Sequence, residues 1–449
     1  MSDPADLLVA EATALLETRR LSSVELTGAC LRRIRERDGE HSHDGDPGSI
    51  NAWVRVYEED ALAEAARADE RRAAGGAGPL CGVPIGLKDI FAVAGKPLTA
   101  SSRLLDETPD EDCTVWSRLA AEGMVLLGHL HTHEFAAGGT TDQVGNPWAF
   151  DRSAGGSSGG SAAALAARTT PAATGTDTAG SLRIPSAFCG TSTIKPTRAL
   201  VSMRGIVPLA PSLDHAGPMA RTLADCALLL AAIVGVARRV EPRSLAGVRL
   251  GVSARTGSLD EEVAAGLEAA LDACRRLGAE LVQAPAPRDT LPDWGYVFDA
   301  EIYEYHRRFD DLRHLYRPST REFVERGARA ERSRYDELQA RREEDRAWWE
   351  DWLVRERVDA VLEPTVPDVA WPRGPGYDHA GSDVRLIELT HHWDWTGHPV
   401  AALPAGLGAQ TGLPVGVSLI GPAGSDWELL ALGVALQAEL GVPGPPPLL

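Results

Sequence analysis

The sequence predicts an α/β fold, a single domain on a central, largely buried mixed β-sheet covered by helices on both faces. Three observations predict it. Val248 to Val252, Asp260 to Leu277 and Ala279 to Gln283 read as strand, amphipathic helix and strand in immediate succession. Short apolar segments, Val83 to Phe91 and Val125 to Leu130, alternate with Gly/Pro turns and alanine-rich helices. The run GGSSGGSAAALAARTTPAATGTDTAGS, Gly155 to Ser181, has the composition of a linker, yet it leads straight into the apolar LRIPSAFCG. A linker should separate blocks, and this stretch lies inside one.

The elements follow in order. Asp3 to Thr18 reads as a helix, with Leu7, Leu8, Ala10, Leu15 and Leu16 roughly on one face. Ser22 and Glu25 form the S-x-x-E pattern that caps a second helix. Asp44 to Gly48 is a turn-rich break, and Ile50 to Tyr57 (INAWVRVY) alternates like a strand. Glu58 to Ala74 is an alanine-rich helix with charges on its outer face, ended by Gly75 to Gly78. From Ser161, SAAALAA is a helix expected to aim its free N–H groups back along the chain. Ile302 to Val354 is mostly helical and dense in Arg and Glu, which suits a solvated face. Val358 to Leu362 and Val415 to Ile420 read as buried strands, and Ser425 with Glu428 caps a last helix. The chain carries no internal repeat.

Composition narrows the function. The 449 residues are 44% hydrophobic and 24% charged, an ordinary balance for a globular protein with a large core. A net charge of −19 argues against a nucleic-acid surface and against an anionic membrane. The longest apolar run, Cys226 to Ala237, is too short to span a bilayer, and the acidic N-terminus lacks the pattern of a signal peptide, so a cytoplasmic protein is expected. The six cysteines show no C-x-x-C spacing, which excludes the common zinc and dithiol motifs.

Chemistry enters at GTDTAGS. A serine on a tight turn, Ser181, exposes its hydroxyl while neighbouring backbone N–H groups converge on one point, the geometry of an oxyanion hole. Such a serine needs a base. Lys88, in the apolar run GVPIGLKDIF, qualifies if burial strips its proton; the competing reading is an ion pair with Asp89 or a strand end that reaches solvent.

Taken together and in this order, GVPIGLKDIF, NPWAFDRSAGGSSGGSAAALAA, GTDTAGSLRIPSAFCG and IKPT resemble the amidase signature family, from about Cys81 to Thr222 and more weakly through DAVLEPTVP and GLPVGVSLIG. The resemblance implies three stretches within one amidase domain: an N-terminal helical segment (1–75), a signature core (76–240) and a C-terminal part contributing the substrate pocket (241–449). It implies an amidohydrolase that splits a carboxamide through a serine acyl-enzyme, with no metal and no organic cofactor. Matched residue by residue, Lys88 is the base, Ser157 the bridging serine on a cis peptide and Ser181 the nucleophile. The N–H groups of Thr178, Ala179, Gly180 and Ser181 form the oxyanion hole. Asp177 and Arg183 are expected to hold this loop, and Ser158 to make a local bond to the backbone. The expected partner is a small-molecule amide, with no nucleic acid, no membrane and, from the family, a homodimer.

Some positions depart from the family pattern. Ala179 stands where glycine is usual and would be strained at positive φ. Ala154 replaces a common proline, and HWDWTGHP (392–399) replaces an Asn and small apolar residues. The substrate pocket is expected from the 129–145 loop and from the 295–400 region. That region and its edge carry Trp294, Tyr296, Tyr303, Tyr305, Trp348, Trp349, Trp393 and Trp395, which suggests bulky acyl groups. An alternative is the glutaminase-like subunit of a tRNA-dependent amidotransferase; Ile184, where that protein more often has Gln, argues for a stand-alone amidase. A metal-dependent hydrolase using the alternating His129, His131 and His133 is a third reading, and a Cys189 nucleophile a fourth.

Overall fold

The computed structural model describes residues 3–254 and 258–447. Its strands are β1 (Trp53–Val56), β2 (Pro84–Lys88), β3 (Val125–Leu130), β4 (Gly145–Asn146), β5 (Ala149–Ser153), β6 (Ala172–Asp177), β7 (Ser192–Lys195), β8 (His215–Ala220), β9 (Arg249–Ser253), β10 (Glu280–Ala284), β11 (Ala360–Pro364), β12 (Val400–Leu407) and β13 (Pro414–Ile420). Eleven of these form one sheet in the order β1-β3-β2-β6-β8-β7-β12-β13-β11-β9-β10, and β4 pairs with β5 alone. The sheet is mixed. β2 runs parallel to β3 and β6, and β9 runs parallel to β10 and β11. β6, β7, β8, β12 and β13 pair antiparallel.

Burial explains why so much of this sheet lacks an alternating pattern. β2, β3, β6, β7, β8, β11 and β13 are buried at every position. A strand covered on both faces has no polar side to display. The strand–helix–strand unit is present, with the helix Glu261–Arg276 between the parallel β9 and β10. β6, β7, β8 and β12 carry no strand signal in the sequence. AATGTD, STIK, HAGPMA and VAALPAGL hold small, polar, Gly and Pro residues, and become strands because neighbours pair with them on both sides.

Other boundaries differ for local reasons. The N-terminal helix is two pieces, a 3₁₀ turn Pro4–Asp6 and the helix Val9–Glu17, with Leu7 and Leu8 extended between them. Ser22 and Glu25 make both bonds of their capping box, at 3.1 and 2.8 Å. Ser425 does not cap; its hydroxyl donates to Pro422 O at 2.7 Å. The arginine-rich segment forms the helices Leu291–His306, Pro318–Gly327 and Arg332–Glu356. It is only partly a solvated face, since Arg342, Trp349 and Trp352 are buried. One hydrophobic core runs from Ala5 to Leu436, with a smaller cluster around Trp349, Trp352 and Trp393. No described helix is long and apolar enough to cross a membrane.

Candidate active site

The site lies where β2 and β6, adjacent and parallel, reach their C-terminal ends, the usual place for ligands in an open α/β sheet. Lys88 ends β2 and Asp177 ends β6. The Lys88 side chain is fully buried. Its Nζ donates to Ser157 Oγ at 2.7 Å and to Thr176 Oγ1 at 2.9 Å. No ion pair joins it to Asp89, whose carboxylate takes the N–H groups of Thr99 and Ser101 instead. Burial pulls Lys88 down to about 7, against Asp177 and Asp214, which favour its ammonium form. Thr176, missed in the sequence, follows from strand pairing: β2 and β6 set it beside Lys88.

Ser157 follows a cis Gly156–Ser157 peptide. Its carbonyl accepts from His133 N at 3.0 Å and Thr141 Oγ1 at 3.1 Å. Glycine is required at the two positions that lead into this bend. Gly155 has φ +75°, and a Cβ on Gly156 would strike the Thr140 backbone. In the helix that follows, Gly159–Ala166, the first two N–H groups are taken up by other backbone and side-chain oxygens. Gly160 N donates to His131 O at 3.1 Å and Gly159 N to Thr141 Oγ1 at 3.3 Å. Ser158 bonds the backbone, but of distant Thr176 rather than of its neighbours.

The loop 177–181 is held from below by one carboxylate. Asp177 accepts from Gly180 N at 2.5 Å, Leu182 N at 3.2 Å, and Arg183 Nε and Nη2 at 2.8 and 3.0 Å. The Gly180 N–H is therefore engaged by Asp177. Gly180 sits at φ +137°, where a Cβ would also run into Thr390. Ala179 is not among the positive-φ residues, so its methyl carries no backbone strain. Arg183 also donates to Asp394 Oδ2 at 2.5 Å and to Thr390 O at 3.1 Å. Burial works against the Arg183 charge, yet Asp177 and Asp394 hold its guanidinium above the ordinary arginine range. Thr178 Oγ1 donates to Asp214 Oδ1 at 2.7 Å, and burial pushes Asp214 up to about 6.

Ser181 is 6% exposed and opens on a cavity of about 200 Å³. Ala136 to Gly139, Thr178, Ala179, Leu209 and residues between Leu291 and Ile387 complete its walls. Of the eight aromatics named in the sequence, Trp294 lines it; Trp349, Trp393 and Trp395 are core. Phe298 was legible by spacing, since it stands one helical turn after Trp294 on the same helix.

The histidines do not converge. His129 bonds Tyr57 OH at 2.8 Å and Phe91 O at 3.1 Å. His131 faces Ser101 Oγ at 3.2 Å, and His133 bonds Thr140 O at 2.9 Å. β3 ends at Leu130, so the period-two face that would align them stops there. Among the described residues no group of three or more His, Cys, Asp or Glu could hold a metal, so His129, His131 and His133 do not form one together. Cys189 is buried, and burial pushes its thiol far above the range of a nucleophile.

A family profile described as Amidase matches residues 45–430. The A subunit of the glutamyl-tRNA(Gln) amidotransferase of Thioalkalivibrio sulfidiphilus (strain HL-EbGR7) is 38% identical over 96% of this chain and 96% of its own. The protein of the same name from Pseudomonas aeruginosa (strain LESB58) is 35% identical over 94% and 95%. Among solved structures, "Crystal structure of amidase" superposes with a TM-score of 0.86 at 31% identity, covering 97% of this chain and 100% of that one. Native peptide amidase from Stenotrophomonas maltophilia gives 0.84 at 28% identity, over 98% of both. These findings correct the partner expectation of a small amide alone, without nucleic acid. Relatives matching over nearly their full length are named as subunits of an amidotransferase for a charged tRNA. The expectation failed because net charge is a sum over the whole surface and says nothing about one docking face. The order of motifs, the mixed sheet and the match over most of its length lead to one conclusion: this chain belongs to the amidase family.

Proposed function

We propose that the chain splits a carboxamide through a Ser181 acyl-enzyme, as the amide-cleaving member of an assembly that passes ammonia to an aminoacylated tRNA. The observation that carries the chemistry is Lys88, fully buried and 2.7 Å from Ser157 Oγ. With its pKa drawn down to about 7, much of Lys88 is neutral near pH 7 and able to take a proton. In this reading Lys88 draws the proton of Ser157, Ser157 draws that of Ser181, and Ser181 Oγ bonds to the amide carbonyl carbon. The oxyanion is met by the N–H groups of Thr178, Ala179 and Ser181. The C–N bond then breaks, and the leaving nitrogen takes the proton returned through Ser157. Water adds to the acyl-enzyme, gives its proton to the same relay, and releases the carboxylic acid and free Ser181. Asp177 and Arg183 position the loop and touch no reacting atom. The relatives' names support the assembly, and an acceptor tRNA would put the work in the cytoplasm.

The test has two parts. Intact mass after treatment with a sulfonyl fluoride should show one adduct, on Ser181, lost in Ser181→Ala and strongly slowed in Lys88→Ala. Ammonia release by the natively purified assembly should rise when glutamyl-tRNA is added. An adduct indifferent to Lys88 sinks the relay; a chain that purifies alone and ignores the tRNA sinks the assembly.

A further inference from the structure

We infer that the cleft between β1 and the loops 41–46 and 99–103 binds the phosphate of a small phosphomonoester through Arg55, His131 and Ser42. The cleft is separate from the Ser181 cavity, and the inference does not depend on the reaction proposed there. Its volume is about 290 Å³. Two arginines, three histidines and four hydroxyl residues line it, and no Asp or Glu does among the described residues. In a chain with 64 acidic against 45 basic residues, a hollow without a carboxylate stands out as a place for negative charge.

Three hydrogen-bond donors there are left for a ligand. Arg55 Nη1 is shut off from solvent and has no hydrogen-bond partner, a cost that a bound anion would remove. His131 offers Nε2. Gln143 Nε2 reaches His131 Nδ1 at 3.4 Å, and this amide is oriented by donating to Thr132 O at 2.9 Å and accepting from Tyr377 OH. Ser101 Oγ, which accepts from Thr132 N at 3.1 Å, meets the same Nδ1 at 3.2 Å. These contacts assign Nδ1 as the acceptor, so the ring hydrogen sits on Nε2. Ser42 Oγ accepts from Gly45 N at 3.2 Å and from Asp44 N at 3.3 Å, which leaves its own hydrogen to give.

The nearby acids are engaged and do not compete. Asp44 holds Arg103 at 2.8 Å and Arg317 at 3.3 Å, and Glu134 accepts from Ser102 Oγ at 2.8 Å. Asp89 takes the N–H groups of Thr99 and Ser101, and Asp38 those of Ala52 and Trp53. Donors on three separate segments suit a tetrahedral anion with three terminal oxygens better than a planar carboxylate. A phosphodiester has only two such oxygens and one charge.

The experiment follows the phosphorus NMR line of methyl phosphate at about pH 8, where it is a dianion. Adding the full chain should broaden the line. Inorganic phosphate should reverse the broadening, whereas dimethyl phosphate and acetate at the same concentration should not. Arg55→Gln should weaken binding about tenfold or more, the usual loss of a hydrogen bond to a charged group. Arg238→Gln, at an exposed arginine paired with Glu428, should leave binding unchanged. A thermal melt checks that the variants fold. Should Arg55→Gln fail to fold, Ser42→Ala carries the test and should weaken binding by about threefold or more. No broadening with wild type overturns the inference. So does displacement by dimethyl phosphate or acetate as readily as by inorganic phosphate, equal loss in the two arginine variants, or an affinity unmoved in both Arg55→Gln and Ser42→Ala.

Discussion

In the proposed reaction, Lys88 concentrates the chemistry into one protonation equilibrium. Its pKa is about 7 in the fold, with burial as the main cause, against about 10.4 in an unfolded chain. Between those values the unfolded chain binds the extra proton, so the Lys88 contribution makes folding more favourable as pH rises from about 7 to about 10. Below pH 7 both states carry the proton and the cost of burying it is felt in full. The stability of wild type relative to Lys88→Met is therefore expected to rise by a few kcal/mol from pH 7 to pH 10, with a limiting slope of about 1.4 kcal/mol for each step of one in pH. Urea unfolding at the two pH values reads this directly. A difference that does not change with pH would mean that Lys88 is not held near neutrality.

At the scale of the element, the end of β6 and the helix Arg183–Cys189 are joined by buried charges. Arg183 lies between Asp177 and Asp394, and His215 Nδ1 approaches Asp394 Oδ1 at 3.3 Å. Lys195 is also buried in this neighbourhood, and burial lowers it to about 8. Removing one member leaves the others without compensation. Arg183→Met is expected to cost about 3–5 kcal/mol of stability, because two buried carboxylates lose their cation. Thermal or urea unfolding measures that loss. A change below about 1 kcal/mol would show that the carboxylates find another partner or take up protons. Asp177 adds a local task, since its acceptance of the Gly180 and Leu182 N–H groups sets the curl of the loop that presents Ser181.

At the scale of the molecule, the eleven-stranded sheet and the core from Ala5 to Leu436 bind the three sequence stretches into one body. Strand order breaks any simple division by sequence. β12 and β13, late in the chain, lie between β7 and β11, so the two halves of the sheet are stitched in the middle. A calorimetric scan is expected to give one transition, with far-UV circular dichroism and tryptophan fluorescence sharing its midpoint. Two separated transitions would mean that the signature core folds apart from the C-terminal part.

Much of this was legible in the sequence, and the remainder has a physical reason for being hidden. The α/β class, the β9–helix–β10 unit and the Ser22 cap were readable because period and capping are local properties. Lys88, Ser157 and Ser181 were singled out by one order of motifs, and the fold brings Lys88 to Ser157. The 2.7 Å contact between Lys88 and Ser157 and the lowered lysine pKa were not legible, since both arise when the segment at Ser157 packs over the end of β2 and buries Lys88. The same holds for Thr176, Asp214 and Asp394, which belong to the site only through distant pairings. The sequence by itself determined the class of fold and the chemical kinds available. Only the tertiary structure decided which loop N–H groups Asp177 engages, where the histidines point, and how apolar the cavity beside Ser181 is, because each depends on what residues far apart in the chain exclude from one another.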